Sequence, residues 1–178
     1  QFAVISDVVT SSKAERLDLE TFLPLADGVT LSSVEGTREL HLQVGDKLAR
    51  VYPLALPQDR GIGTVGDAGE SDEYGPSLRV TQASTTGGLF SPIVIDWNPE
   101  RDTSDTEWAP LTVTEAGEID RTGAAAFRLR VGDLHLVLHR ALRKTERYRT
   151  VLGTVIENET TIGEFTKKGV IRELVVVQ

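Results

Sequence analysis

Leu40-His-Leu-Gln-Val-Gly-Asp-Lys-Leu-Ala-Arg-Val51 puts Leu40, Leu42 and Val44 on one face of an alternating run and breaks it at Gly45-Asp46. Alternation with period 2 marks a half-buried strand, and a two-residue break with glycine first suits a tight hairpin turn. The stretch therefore predicts two antiparallel strands. The same pattern returns in Phe127-Arg-Leu-Arg-Val-Gly-Asp-Leu-His-Leu-Val-Leu138. There, period 2 sends Leu134, Leu136 and Leu138 into the core and turns His135, Val137 and His139 outward or toward a second layer. Two look-alike hairpins can record a duplicated half-domain, although alternating hairpins joined by Gly-Asp look alike by physics alone.

Working outward, 160–166 and 170–177 read as a third hairpin across Lys167-Lys168-Gly169, with Leu174-Val-Val-Val177 a strand buried on both faces. Further strands are expected at 2–9, 16–23, 77–83, 89–97, 111–115 and 149–157. About a dozen strands are too many for one flat sheet and suit packed sheets. Ser11–Leu17 offers at most one helical turn. The chain is thus expected to be all-β, an antiparallel β-sandwich or jelly-roll-like fold with little or no helix. Two long polar segments, Pro57–Pro76 and Asn98–Pro110, read as loops, and loops of that length tend to be functional or mobile.

Composition agrees with one domain over residues 1–178, because a chain of 178 residues can bury a single sizeable core. It carries no cysteine, so disulfides, thiolate metal sites and cysteine nucleophiles are excluded. No stretch is long and apolar enough to span a membrane. A net charge of −8 with scattered Lys and Arg disfavours nucleic acid. The densest cationic stretch, Arg140 to Arg149, reads either as a solvated loop or as a rim that meets an acidic polymer. The absence of methionine, with Gln1 running straight into a strand, suggests the C-terminal part of a larger or processed protein.

Three candidate chemistries stand out. Trp97 and Trp108 bracket the second polar loop and, with Tyr74, form the expected carbohydrate-stacking set. Asp96, Asn98, Asp102 and Asp105 supply oxygens for calcium, although their spacing departs from the twelve-residue calcium loop. His135 and His139 lie roughly 13 Å apart if both stand on one strand, too far to share a metal. No nucleophile elbow, phosphate-binding glycine loop or zinc-protease motif is present, so no catalytic residue is named. Asn158-Glu-Thr160 is a formal glycosylation sequon.

Several segments together carry a resemblance. Phe2-Ala-Val-Ile-Ser-Asp-Val-Val-Thr-Ser11, Arg16-Leu-Asp-Leu-Glu-Thr-Phe-Leu23, Ser77-Leu-Arg-Val80 with Leu89-Phe-Ser-Pro-Ile-Val-Ile95, and Ile162-Gly-Glu-Phe-Thr-Lys-Lys-Gly-Val170 resemble, in order, strands of the C-terminal β-sandwich of heparinase II/III-like polysaccharide lyases. The resemblance implies a non-catalytic accessory domain of a secreted, periplasmic or cell-surface enzyme, with a helical catalytic domain or an acidic polysaccharide as partner. The position where that family often carries a histidine reads Thr21-Phe22-Leu23, which puts any inherited catalytic role there in doubt. A free-standing carbohydrate-binding module, or an oligomeric capsid, surface-layer or filament subunit, are the alternatives.

Overall fold

In the computed structural model, which describes residues 1–13, 15–166 and 168–177, the chain forms seventeen strands and two single turns of 3-10 helix. In chain order these are β1 (Phe2–Thr10), β2 (Leu17–Pro24), β3 (Thr30–Ser33), β4 (Leu40–Val44), β5 (Lys47–Pro53), β6 (Glu70–Tyr74), β7 (Ser77–Ser84) and β8 (Gly88–Asp96). Then come β9 (Thr106–Leu111), β10 (Val113–Glu115), β11 (Glu118–Ile119), β12 (Ala124–Val131), β13 (Leu134–Ala141), β14 (Arg149–Val151), β15 (Thr154–Ile156), β16 (Thr160–Phe165) and β17 (Ile171–Val177). Every pairing is antiparallel.

Both deciding hairpins fold as the alternation dictates. Val44 pairs with Lys47 and Val131 with Leu134, leaving two-residue loops whose first residues, Gly45 and Gly132, take φ of 60° and 54°. Only glycine enters that left-handed region without steric cost, so each glycine fixes its hairpin's register. The C-terminal hairpin also forms, pairing β16 with β17. Of its expected loop, Lys167 lies outside the described residues, as does Ala14 of the expected helical turn.

The strands form four sheets, ordered β2-β7-β6, β1-β8-β5-β4-β3, β17-β16-β13-β12-β9 and β11-β10-β14-β15. Three apolar clusters stack them into four layers. Leu40, Val51 and Ile93 pack against Leu78 and Val80 of the outer three-stranded sheet. Tyr52, Phe90 and Val94 meet Phe127, Leu129, Leu136 and Leu138 between the two five-stranded sheets. Ala126 and Val137 pack against Val113, Val151 and Ile156 of the outer four-stranded sheet. The central strands β8 and β13 are therefore buried on both faces, which is why they read as near-continuous apolar runs.

The two halves share their wiring. In each, the second strand of a Gly-Asp hairpin (β5, β13) leads into an outer-layer hairpin (β6–β7, β14–β15), and the chain returns as its sheet neighbour (β8, β16).

Four expectations need correction. Leu174 to Val177 are all exposed, because β17 is the edge of its sheet and no layer of the described residues covers it. The segment 149–157 is a tight hairpin turning at Leu152-Gly153, not one strand. Pro57–Pro76 contains β6, and Asn98–Pro110 contains a 3-10 turn and most of β9. Arg38 ties the first of these segments down by donating to the carbonyls of Pro57, Asp59 and Ile62.

Candidate functional site

The sugar-stacking set expected from sequence does not assemble. Trp108 is only 3% exposed: its ring packs on Tyr52 in the central core, and its Nε1–H donates to the Leu56 carbonyl at 2.8 Å. β9 alternation turned it inward, so it offers no face to a ligand. Trp97 is exposed at the end of β8, where its backbone N–H donates to Gln1. Tyr74 lies on the outer three-stranded sheet, against Phe22 and Arg79.

The carboxylates of the expected calcium set are not drawn into one cluster among the described residues. Asp96 is buried and receives a two-pronged grip from Arg101, Nε to Oδ2 at 2.7 Å and Nη2 to Oδ1 at 2.8 Å. Asn98 turns its Oδ1 to the Glu100 backbone N–H, capping the 3-10 turn. Asp102 and Asp105 do not join Asp96 in a carboxylate cluster: among the described residues no three His, Asp or Glu side chains come close enough to hold a metal. The alternating acids of this segment read as ligands because sequence does not show that a single arginine, Arg101, folds back over Asp96.

A site does form around the basic stretch. A cavity of about 930 Å³ opens between the β13–β14 loop, the β15–β16 connection and the end of β1. Its lining includes Arg140, Arg143, Lys144, Arg147 and Arg149 against Glu146, Glu157 and Glu159, a local positive balance on a chain of net charge −8. Strands hold these groups: Arg140 is the penultimate residue of β13 and Arg149 begins β14, while the N–H groups of Leu142 and Arg143 both donate to the Gly123 carbonyl.

The cations divide into anchors and free groups. Arg149 is buried and faces Asp120 at 3.3 Å and Glu115 at 3.4 Å, and Arg143 reaches the same two carboxylates. Burial would raise the Asp120 carboxyl, but the backbone N–H groups of Gly123 and Thr122 and the two guanidiniums outweigh it and hold it below the usual range. Arg140 pairs with Glu159. Lys144 and Arg147 are exposed and form no ion pair among the described residues. Tyr148, 55% exposed, stands beside them with its ring available for stacking.

At the base of the wall lies His139, almost fully buried, with neither ring nitrogen meeting a partner among the described residues. Burial, together with Arg149 and Arg140, pushes its imidazole down to about 4, so it is neutral near neutral pH. The chain matches no family model, no curated protein and no solved structure. The chemistry of the cavity therefore carries the functional reading. Sequence did single out Arg140 to Arg149, but it could not tell a solvated loop from a cavity wall, because Glu115 and Asp120 reach the cluster through the fold.

Proposed function

We propose that this chain is a non-catalytic accessory β-domain of a carbohydrate-active protein, and that it holds an acidic polysaccharide at the basic cavity. The observation that carries this reading is the pair of unengaged cations, Lys144 and Arg147, beside the exposed ring of Tyr148. An ammonium and a guanidinium attract the carboxylate or sulfate of each sugar unit, and an aromatic face takes the apolar side of a pyranose ring. The anchored Arg143 and Arg149, matched by Glu115 and Asp120, keep the loop in place. Such a ligand belongs to the secreted, periplasmic or cell-surface space, and the resemblance to heparinase II/III-like β-sandwiches points the same way. His139, neutral near neutral pH, and Glu159, held by Arg140, weigh against acid–base chemistry at this wall.

The test is to titrate the purified chain with alginate, pectate, hyaluronan and heparin by calorimetry while following unsaturated products in the ultraviolet. Binding should weaken with salt and fall about tenfold or more in Lys144→Ala/Arg147→Ala, as expected where roughly 1.4 kcal/mol is lost. Absence of binding to all four polymers would overturn the cavity reading, and robust product formation would overturn the non-catalytic one.

An assembling structural subunit is favoured by one observation, the exposed apolar edge β17, whose unpaired backbone could add a strand from another copy. Sedimentation of the chain at rising concentration tests it: a stable monomer would rule it out.

A further inference from the structure

The outer three-stranded sheet lies at the opposite end of the four-layer stack from the four-stranded sheet that carries Arg149. It buries Leu78 and Val80 on one side and turns the other side to solvent. On that solvent face the register sets Phe22 beside Arg79 and Arg79 beside Asp72, with Pro24, Ser77 and Tyr74 forming the next row. Phe22 is 43% and Tyr74 57% exposed, and their ring centroids lie 5.7 Å apart. Arg79 sits over the Tyr74 ring at 4.8 Å while its Nε and Nη2 donate to Asp72 at 2.9 and 2.6 Å.

Neither ring belongs to one of the three cores, so core packing does not explain two large aromatic groups on this face. They are nevertheless held in place: Arg79 is fixed by Asp72 and in turn supports Tyr74, so little rotamer freedom remains to be lost on binding. The row beyond carries Glu20, Thr81 and Glu70. Arg79 is matched by Asp72, and Glu20 adds charge of the acidic sign, so an acidic polymer is repelled here where the basic cavity attracts one. Aromatic faces flanked by carboxylate and hydroxyl groups suit a ligand with apolar C–H faces and many neutral hydroxyls.

We propose that Phe22, Tyr74 and Arg79 form a second sugar-binding face, which takes an uncharged polysaccharide. Pyranose rings lie on Phe22 and Tyr74, and their hydroxyls pair with Thr81, Glu20 and the outer atoms of the Arg79–Asp72 pair. This face is independent of the basic cavity, and its failure would leave that cavity's reading intact.

The experiment is native gel electrophoresis of the chain through gels cast with hydroxyethylcellulose, xylan, glucomannan or a β-1,3-glucan, with Kd from calorimetry for any polymer that retards it. At least one of these polymers should retard the wild-type chain. Tyr74→Ala and Phe22→Ala should each weaken that binding about tenfold, whereas Tyr74→Phe and Lys144→Ala/Arg147→Ala should leave it within about twofold; a tenfold change corresponds to roughly 1.4 kcal/mol. Circular dichroism of each variant confirms that the fold is intact. No retardation by any neutral polymer, or retardation that survives Phe22→Ala/Tyr74→Ala, would overturn the proposal.

Discussion

The Arg50 guanidinium holds both carboxylate oxygens of Glu39, Nε to Oε1 at 2.7 Å and Nη2 to Oε2 at 3.1 Å, and both side chains are buried. The same guanidinium donates to the carbonyls of Arg101 and Ser104, so one ion pair ties β5 to the segment that leads into β9. A buried charge is tolerated only while it is paired and its remaining donors are satisfied.

Removing one partner should therefore be costly. Arg50→Met leaves Glu39 buried with His41 as its one remaining ion-pair partner among the described residues, and we expect a loss of about 3–5 kcal/mol of stability. Arg50→Met combined with Glu39→Leu should recover part of it, since no unpaired charge remains. Urea unfolding of wild type, the single variant and the double variant decides the matter; a single variant within 1 kcal/mol of wild type would show that water reaches Glu39, by the same buried-charge argument.

The two tryptophans should behave oppositely. Trp108→Phe removes the N–H that satisfies the Leu56 carbonyl and should cost about 1–3 kcal/mol. Trp97→Phe should change stability by less than about 0.5 kcal/mol, as surface substitutions do. In acrylamide quenching, fluorescence of Trp108→Phe, which comes from Trp97, should quench readily, while that of Trp97→Phe should resist. Equal quenching of the two variants would place Trp108 at the surface.

The hairpins were legible because each needs only its own residues: alternation sets the faces and a glycine of positive φ sets the turn. Single-strand exposure was not. Leu174-Val-Val-Val177 and Leu134 to His139 are both apolar runs, yet the first is a bare edge and the second lies between two layers. What separates them is the presence of neighbouring strands and layers, which are non-local. Trp108 went inward and Trp97 outward for the same reason. The basic stretch could be seen, but its cavity arises from Gly123, Glu115 and Asp120, which are distant in sequence. Phe22 carried no signal at all until β7 placed Arg79 next to it and β6 brought Tyr74 close.

The exposed edge should govern colloidal behaviour. Val175→Lys and Val176→Lys place charges on opposite faces of β17, where both valines are about half exposed. Natural edges are protected by this kind of lysine. Each substitution should lower light scattering of concentrated solutions and leave the unfolding midpoint nearly unchanged. A fall in midpoint with no change in scattering would mean that β17 is covered in solution.

His139 should make stability depend on pH in mildly acid solution. In the folded chain its imidazole is held at about 4 by burial and by Arg149 and Arg140, with Asp120 pulling weakly the other way; unfolded, it returns to 6.5. As pH falls below about 6.5 the unfolded chain takes up a proton that the folded chain still refuses, so stability is full above that value and declines as pH drops toward about 4. A difference of that size corresponds to a loss of about 3 kcal/mol. Below about 4 both states bind the proton and this contribution to the slope ends, while Asp120, held low, begins to add its own loss at lower pH. His139→Leu removes the titration without breaking a hydrogen bond, because neither ring nitrogen has a partner among the described residues. The variant should match wild type within about 1 kcal/mol at pH 7.5 and exceed it at pH 5, as expected when an unpaired polar group is replaced by an apolar one. Urea unfolding at those two values gives the answer. A slope between them that is unchanged in His139→Leu would assign the acid sensitivity to another group and remove His139 from the account.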